Sequence, residues 1–361
     1  MLRYSSRLEV RLENLSQNFT DLKKLSHQEV IFMVKANAYG HGLTQITDYC
    51  VKNSLSQNFG TASLGEAMEI RKHVSGNYKT YIFSDTELQK TNYRELYNQE
   101  LIPVIHHMDD LDIFLKECSG LKMVLKFNTG MNRLGLNSKD IETIIRKLKE
   151  HGRKSIGHLM SHYSSSYIPG NKRTKTQTQE FESIIKEFKA SGIDIEETSM
   201  ANSGAIEQQI ASDYSHIRPG LMLYGPASVE GKWDGRILSE LKSNLISVFE
   251  VKKGTPIGYG GHVCHADGKV GILPLGYGDG LMTYYSGAEF HHNEYPVKIL
   301  GRVNMDLMQL FFPSEANIRE GDEVVIWNHS QSRIANLSKQ MKTIPYQLFC
   351  ALNERVPRVY L

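Results

Sequence analysis

The chain has 361 residues, with 42 Lys and Arg against 40 Asp and Glu, 40% hydrophobic and 23% charged. That is length for about two domains of an ordinary globular protein, and a net charge of +2 with intermixed signs excludes an electrostatic case for nucleic-acid or membrane partners. Residues 1–10 are broken by charge and do not read as a signal peptide, no apolar run reaches the ~20 residues that cross a bilayer, and Cys50, Cys118, Cys264 and Cys350 form no CxxC pair, so a disulfide scaffold or zinc ribbon is excluded and a reducing cytoplasm is expected.

In chain order, residues 1–10 alternate like a strand. Short β-rich runs then follow at 30–35, 59–63, 80–83, 102–105, 121–127, 155–160, 195–200 and 215–218. Between them lie helix-period segments such as 43–52, 65–73, 108–116, 139–149 and 172–189. Ser63, three residues before Glu66, and Asn137 and Ser138 before Lys139 read as helix starts. Eight strands, each followed by such a connection, predict a (β/α)8 TIM-like barrel over 9–236. A doubly wound sheet would share the pattern only through strand five or six. After about Gly235 the texture changes to strand-like runs at 245–251, 269–275, 295–301 and 323–327, separated by Gly- and Pro-containing turns. This predicts a second, mainly β domain over 237–361, with residues 1–8 pairing with it.

The sharpest local feature is residues 34–42, Val-Lys-Ala-Asn-Ala-Tyr-Gly-His-Gly, at the end of the first strand. Barrel active sites lie at the C-terminal ends of strands. A lysine ending an apolar strand is partly desolvated there and becomes a competent imine-forming amine. Position alone also fits a solvent-facing lysine at a strand end.

This nonapeptide closely resembles the lysine motif of the alanine racemase family, enzymes of fold type III that use pyridoxal 5′-phosphate (PLP), and the likeness continues in order over nearly the whole chain. The resemblance implies that Lys35 carries PLP and serves as one base, and that Tyr39 donates to the phosphate. Residues 125–135, Leu-Lys-Phe-Asn-Thr-Gly-Met-Asn-Arg-Leu-Gly, match a second block in which Arg133 contacts the phenolic oxygen and the substrate. Lys126 stands where the family is often carbamylated. Two confined cations repel, whereas a carbamate is an anion that Arg133 can grip; a lysine paired with a carboxylate is the other reading. Asn128, often Asp in relatives, and Asn132 depart without removing a catalytic group.

By the same likeness His162 stacks on the ring and Ser203, after Asn202, binds phosphate at a helix start. Ser199 stands where many relatives have histidine, which leaves open the contact behind the pyridine arginine. That arginine is Arg218, and the amides of Gly220 and Leu221 reach phosphate. Because arginine keeps its proton, the pyridine nitrogen stays bare and charge remains near Cα. Residues 273–280, Leu-Pro-Leu-Gly-Tyr-Gly-Asp-Gly, resemble the family block that holds the second base, which implies that role for Tyr277, although in isolation it also fits an aromatic in a Gly-rich turn; racemisation needs a base on each face of a planar carbanion. The block 301–306 resembles another family block, which implies that Met305 lies near the substrate carboxylate and Asp306 orders the site; Asn304 replaces a cysteine common in the family. Tyr259 resembles a family tyrosine at the active-site entrance. In the family these C-terminal elements serve a partner's barrel, implying a head-to-tail homodimer.

Glu354 occupies the place of a phosphate-touching tyrosine, where a carboxylate would be unfavourable. The resemblance implies interconversion of L- and D-alanine, with D-alanine supplied for peptidoglycan. A serine or broad-specificity racemase, a non-catalytic PLP-binding protein and a basic amino-acid decarboxylase are the alternatives. His291 and His292, and His262, Cys264 and His265, lack a second ligand pair at suitable spacing, so no metal is expected. The glycines of 258–261 lack the strand–GxGxxG–helix context of a dinucleotide site.

Overall fold

The computed structural model describes residues 5–86, 88, 93–118, 120–210, 213–285, 288–293 and 295–361. In the first two thirds, nine parallel segments form one sheet in the order Glu29–Val30, His216–Ile217, Thr198–Ser199, His158–Met160, Val124–Lys126, Leu101–Ile105, Lys79–Asp85, Asn58–Ser63 and Phe32–Met33. The two end segments are separated only by Ile31, so they are halves of one strand. The amides of Ile31 and Met33 bond the carbonyls of Ile217 and Pro219 at 2.9 and 3.0 Å, which closes the ring. The result is the expected eight-stranded barrel. Leu101–Ile105 and Val124–Lys126 are buried throughout, as parallel strands covered on both faces must be.

Helices Leu43–Lys52, Leu64–His73, Met108–Glu117, Ile141–Glu150 and Lys172–Ala190 lie within a residue or two of their predicted spans. Each buries residues spaced three or four apart, for example Ile141, Ile144 and Leu148. Ser63 Oγ accepts from the Glu66 amide and Asn137 Oδ1 from that of Lys139, as their positions predicted.

The second sheet has the order Ser247–Val251, Gly268–Leu273, Met308–Pro313, Tyr295–Ile299, Glu289–His292, Glu323–Trp327, Ser239–Asn244, Ser6–Val10 and Arg358–Tyr360. Ser6–Val10 pairs antiparallel with Ser239–Asn244 and parallel with Arg358–Tyr360, so both chain ends enter this sheet. Helix Leu12–Leu25 then leads into the barrel. Its fully buried Asn18 donates to the carbonyls of Leu223 and Arg236 at 3.0 and 2.9 Å, tying the barrel's last turn to the chain leaving it.

Two departures position the site. The predicted strand 30–35 stops at Met33. Ala36, Asn37, Ala38 and Tyr39 all adopt left-handed backbone with φ of 50–54°, forming a left-handed turn that begins at Lys35. Four consecutive non-glycine residues there cost about 1–2 kcal/mol each. Offsetting bonds run from the Ala36 amide to Glu66 Oε1 (2.6 Å), the Leu43 amide to Asn37 Oδ1 (2.8 Å) and the Ala38 amide to the Val34 carbonyl (2.8 Å). The second domain also contains helices Gln331–Gln340 and Pro345–Cys350. The latter packs so closely on the turn that a Cβ on Gly40 would meet the Phe349 carbonyl oxygen at 2.0 Å.

Candidate active site

The C-terminal ends of the barrel strands surround a cavity of about 170 Å³. Lys35, Tyr39, Lys126, Arg133, His162, Ser203, Arg218 and Gly220 line it, so the structure gathers these predicted barrel residues around one space, while Leu221 is not among its lining. A larger groove of about 970 Å³ lies elsewhere, but exposed groups such as Lys24, Lys232 and Asp234 line it. Its groups are set for solvation rather than chemistry.

The electrostatics of the small cavity are one-sided. Lys35, Lys126, Arg133, His162 and Arg218 face it, and no Asp or Glu among the described residues lines it. Burial, then the Arg133 charge, lowers the pKa of Lys35, opposed by Glu66. Burial pushes Lys126 down to about 8, helped by Arg218, Arg133 and Lys35. Both amines are therefore more available unprotonated than free lysine. Among the described residues Lys126 pairs with no carboxylate: the charges acting on it are those of Arg218, Arg133 and Lys35. His162 is held well below its ordinary value by burial and then by Arg218, whose Nη2 stands 3.5 Å from Nδ1. Arginine only donates, so Nδ1 accepts and the ring is neutral.

At one end of the cavity, Ser203 Oγ accepts from the amides of Gly220 (3.1 Å) and Met222 (3.4 Å). Leu221, expected to offer its amide, opens the short 3-10 turn Leu221–Tyr224. Tyr39 Oη completes this end, so close that a Cβ on Gly220 would meet it at 2.4 Å. Hydroxyls and backbone amides converging beside cations suit a phosphate dianion. Tyr39 stacks on Tyr224 (centroids 4.7 Å) and packs against Tyr346 (5.7 Å). Tyr346, which the sequence reading did not single out, is the one cavity-lining residue from the second domain among those described. Glu354 is exposed and outside the cavity, so no carboxylate opposes a phosphate.

The departures near Arg133 build a turn. Asn128 Oδ1 accepts from the amides of Gly130 (3.1 Å) and Asn132 (2.9 Å), and Asn132 is left-handed at φ 57°. Ser199 Oγ accepts from Arg218 Nη1 and lies 2.7 Å from His158 Nε2, so a contact behind Arg218 exists, routed through His158 on the adjacent strand.

Tyr277, Met305 and Asp306 gather in the second domain and do not line the cavity of Lys35. The Tyr277 amide bonds the Asn304 carbonyl (2.9 Å) and that of Gly278 bonds Met305 (2.8 Å). Arg355 bridges buried Asp279 (3.1 Å) and Asp306 (2.7 Å). Tyr277 is 43%, Met305 54% and Tyr259 76% exposed, and they stand open on this domain together with other large side chains such as Phe249 and Ile344. His262 and His265 are exposed, with centroids 6.0 Å apart, and His292 Nδ1 bonds the Glu323 carbonyl.

Family models for the alanine racemase N-terminal and C-terminal domains match residues 10–228 and 238–360. An alanine racemase of Shewanella loihica is 31% identical over 363 residues, 97% of either chain. One from Helicobacter pylori is 31% identical over 384 residues, 100% of either chain. The solved alanine racemase of Acinetobacter baumannii matches 99% of this chain and 100% of its own, with a TM-score of 0.86 at 26% identity. That of Streptomyces lavendulae shares the fold, with a TM-score of 0.91 at 23% identity over 100% of this chain and 98% of its own.

Proposed function

Because this chain belongs to the alanine racemase family, we propose that it interconverts L-alanine and D-alanine, with PLP held in the barrel cavity and a base acting from each face. The observation that carries this reading is the cation-lined cavity without a carboxylate, into which an amine of lowered pKa projects. Such a space calls for a ligand bearing several negative charges, and PLP with an amino acid brings a phosphate, a phenolate and a carboxylate.

Ser203, Tyr39 and the Gly220 and Leu221 amides would hold the phosphate, His162 would face the ring, and Arg218 and Arg133 would meet the pyridine nitrogen and phenolic oxygen. PLP, when bound, makes the Cα–H of an attached amino acid acidic by drawing electron density into its ring. Lys35 would anchor the cofactor and hold or return the Cα proton on one face. Arg218, which only donates, leaves the ring nitrogen unprotonated and favours reprotonation at Cα. Lys126, if carbamylated, would give Arg133 an anion to grip.

Tyr277, Met305 and Asp306 stand exposed and away from the Lys35 cavity. This supports a head-to-tail homodimer in which Tyr277 of a second copy supplies the opposite base, Met305 approaches the substrate carboxylate and Tyr259 flanks the entrance. The chain is read as two units, 9–236 and 237–361. A cytoplasmic location, supported by four unpaired cysteines, and supply of D-alanine to peptidoglycan complete the proposal. No helix among the described residues is long and apolar enough to cross a membrane.

Chiral chromatography on purified protein with a panel of L-amino acids, beside Lys35→Ala, tests the reading. D-Alanine should form fastest and vanish with Lys35→Ala. Faster conversion of serine, or none of any amino acid, would overturn it.

A further inference from the structure

Behind Arg218 a buried row of polar groups runs across the adjacent barrel strands, and hydrogen-bond chemistry fixes its direction. The guanidinium is 4% exposed, and its described partners are neutral: the Ser161 and Met200 carbonyls, His162 Nδ1 and Ser199 Oγ. Arginine can only donate, so Ser199 Oγ accepts from Nη1. The other neighbour of the hydroxyl is His158 Nε2 at 2.7 Å, and a hydroxyl can donate to a bare nitrogen or accept from an N–H. Glu197 decides between them: beside Nδ1, an ionised carboxylate only accepts, which places the proton of the neutral ring on Nδ1 and leaves Nε2 to accept from Ser199. Nδ1 lies 3.0 Å from Glu197 Oε2, close though off the ideal hydrogen-bond line. His158 is 0% exposed, and burial pushes its pKa down to about 4, so the ring is neutral. Burial works to raise the pKa of Glu197, but His158 and Lys122 outweigh it and hold the carboxylate near 2.

We propose that His158 and Glu197 are positioning residues for Arg218, in which a neutral, Nδ1-protonated imidazole joins the buried guanidinium, through Ser199, to a carboxylate at the other end of the row. Resting on the function proposed above, this row orients Arg218 toward the cofactor ring and provides its distant counter-charge. His216 Nε2, 3.5 Å from Glu197 Oε2, makes the cluster also resemble three metal ligands whose donor atoms lie within 4.8 Å of one another. The ion pair of Lys122 with Glu197 Oε1 and the 3.0 Å approach of Nδ1 to Oε2 favour the polar row over a bound metal.

Histidine-selective 15N NMR of the apoprotein, with His158→Gln to assign the signal, reads the tautomer independently of turnover. His158 should carry its proton on Nδ1 and stay neutral from about pH 9 down to about pH 6, below the free-histidine value. The groups facing it are Glu197, His216, Arg218 and the Tyr81 ring. In the holoenzyme, His158→Leu should lower kcat about 10- to 100-fold with KM nearly unchanged. Glutamine, which accepts and donates in the same directions, should recover most of that loss. An Nε2–H tautomer, a charged His158, one zinc per chain by metal analysis, or full kcat in His158→Leu would overturn the proposal. A holoenzyme inert towards every amino acid would instead sink the proposed function and leave the tautomer result standing.

Discussion

Gly220→Ala perturbs the proposed phosphate end without touching a reacting group. The new methyl would lie 2.4 Å from Tyr39 Oη and 3.1 Å from its Cζ. Tyr39 has little room to withdraw: it is 6% exposed and held between Tyr224 and Tyr346. Overpacking of this kind costs about 1–3 kcal/mol, and displacing Oη removes a charge-assisted bond worth about 1.5–3 kcal/mol from any phosphate bound there. The second term alone weakens PLP binding by about 10- to 150-fold. Absorbance or fluorescence titration of the apoprotein with PLP measures it. Gly65→Ala, where the nearest atom to a new Cβ is Ser63 Oγ at 3.8 Å, is the control and should bind normally. Affinity for PLP within about twofold of wild type in Gly220→Ala would refute a phosphate between Tyr39 and Gly220.

Glu66→Ala strands the amides of Ala36 and Ala62, now bonded at 2.6 and 2.8 Å, and should lower the unfolding free energy by about 2 kcal/mol, seen as a reduced urea midpoint. Lys126 binds its proton less tightly folded than unfolded, so its contribution to stability rises as pH climbs from about 8 towards about 10.4. In carbonate-free buffer, the apoprotein should therefore gain roughly 3 kcal/mol relative to Lys126→Met across that window, and an absence of slope would contradict the burial argument. Arg355→Ala releases Asp279 and Asp306 beside Tyr277; steady-state kinetics should show kcat reduced several-fold at unchanged PLP content.

The barrel was legible because its strands are short apolar runs and its helices keep a 3.6-residue period with caps such as Ser63. Helix Leu12–Leu25 carries the same signal in Leu15, Phe19 and Leu22 but lies between two strands that drew the pattern reading elsewhere. The two helices of the second domain were missed because its strand-like runs dominate the pattern, although Pro345 stands at one helix start and Ser330 caps the other. The left-handed turn after Lys35 had no local signal, since alanine and tyrosine avoid that conformation; contacts from Glu66 and the helix Pro345–Cys350 impose it. His158 and Glu197 were equally hidden, because a polar residue on a short strand looks the same in sequence whether it meets solvent or a buried partner. Motif resemblance named eight of the barrel residues that line the cavity, and the second-domain set stands apart from them in the single chain.

Subunit complementation tests that separation most directly. Lys35→Ala and Tyr277→Phe proteins, each with little racemase activity alone, are mixed, dissociated and reassembled. If each cavity is completed by a second copy, mixed dimers hold one intact site, and the mixture should regain about one quarter of wild-type activity. If the mixture stays as inactive as its components, Lys35 and Tyr277 work within one chain and the account is wrong.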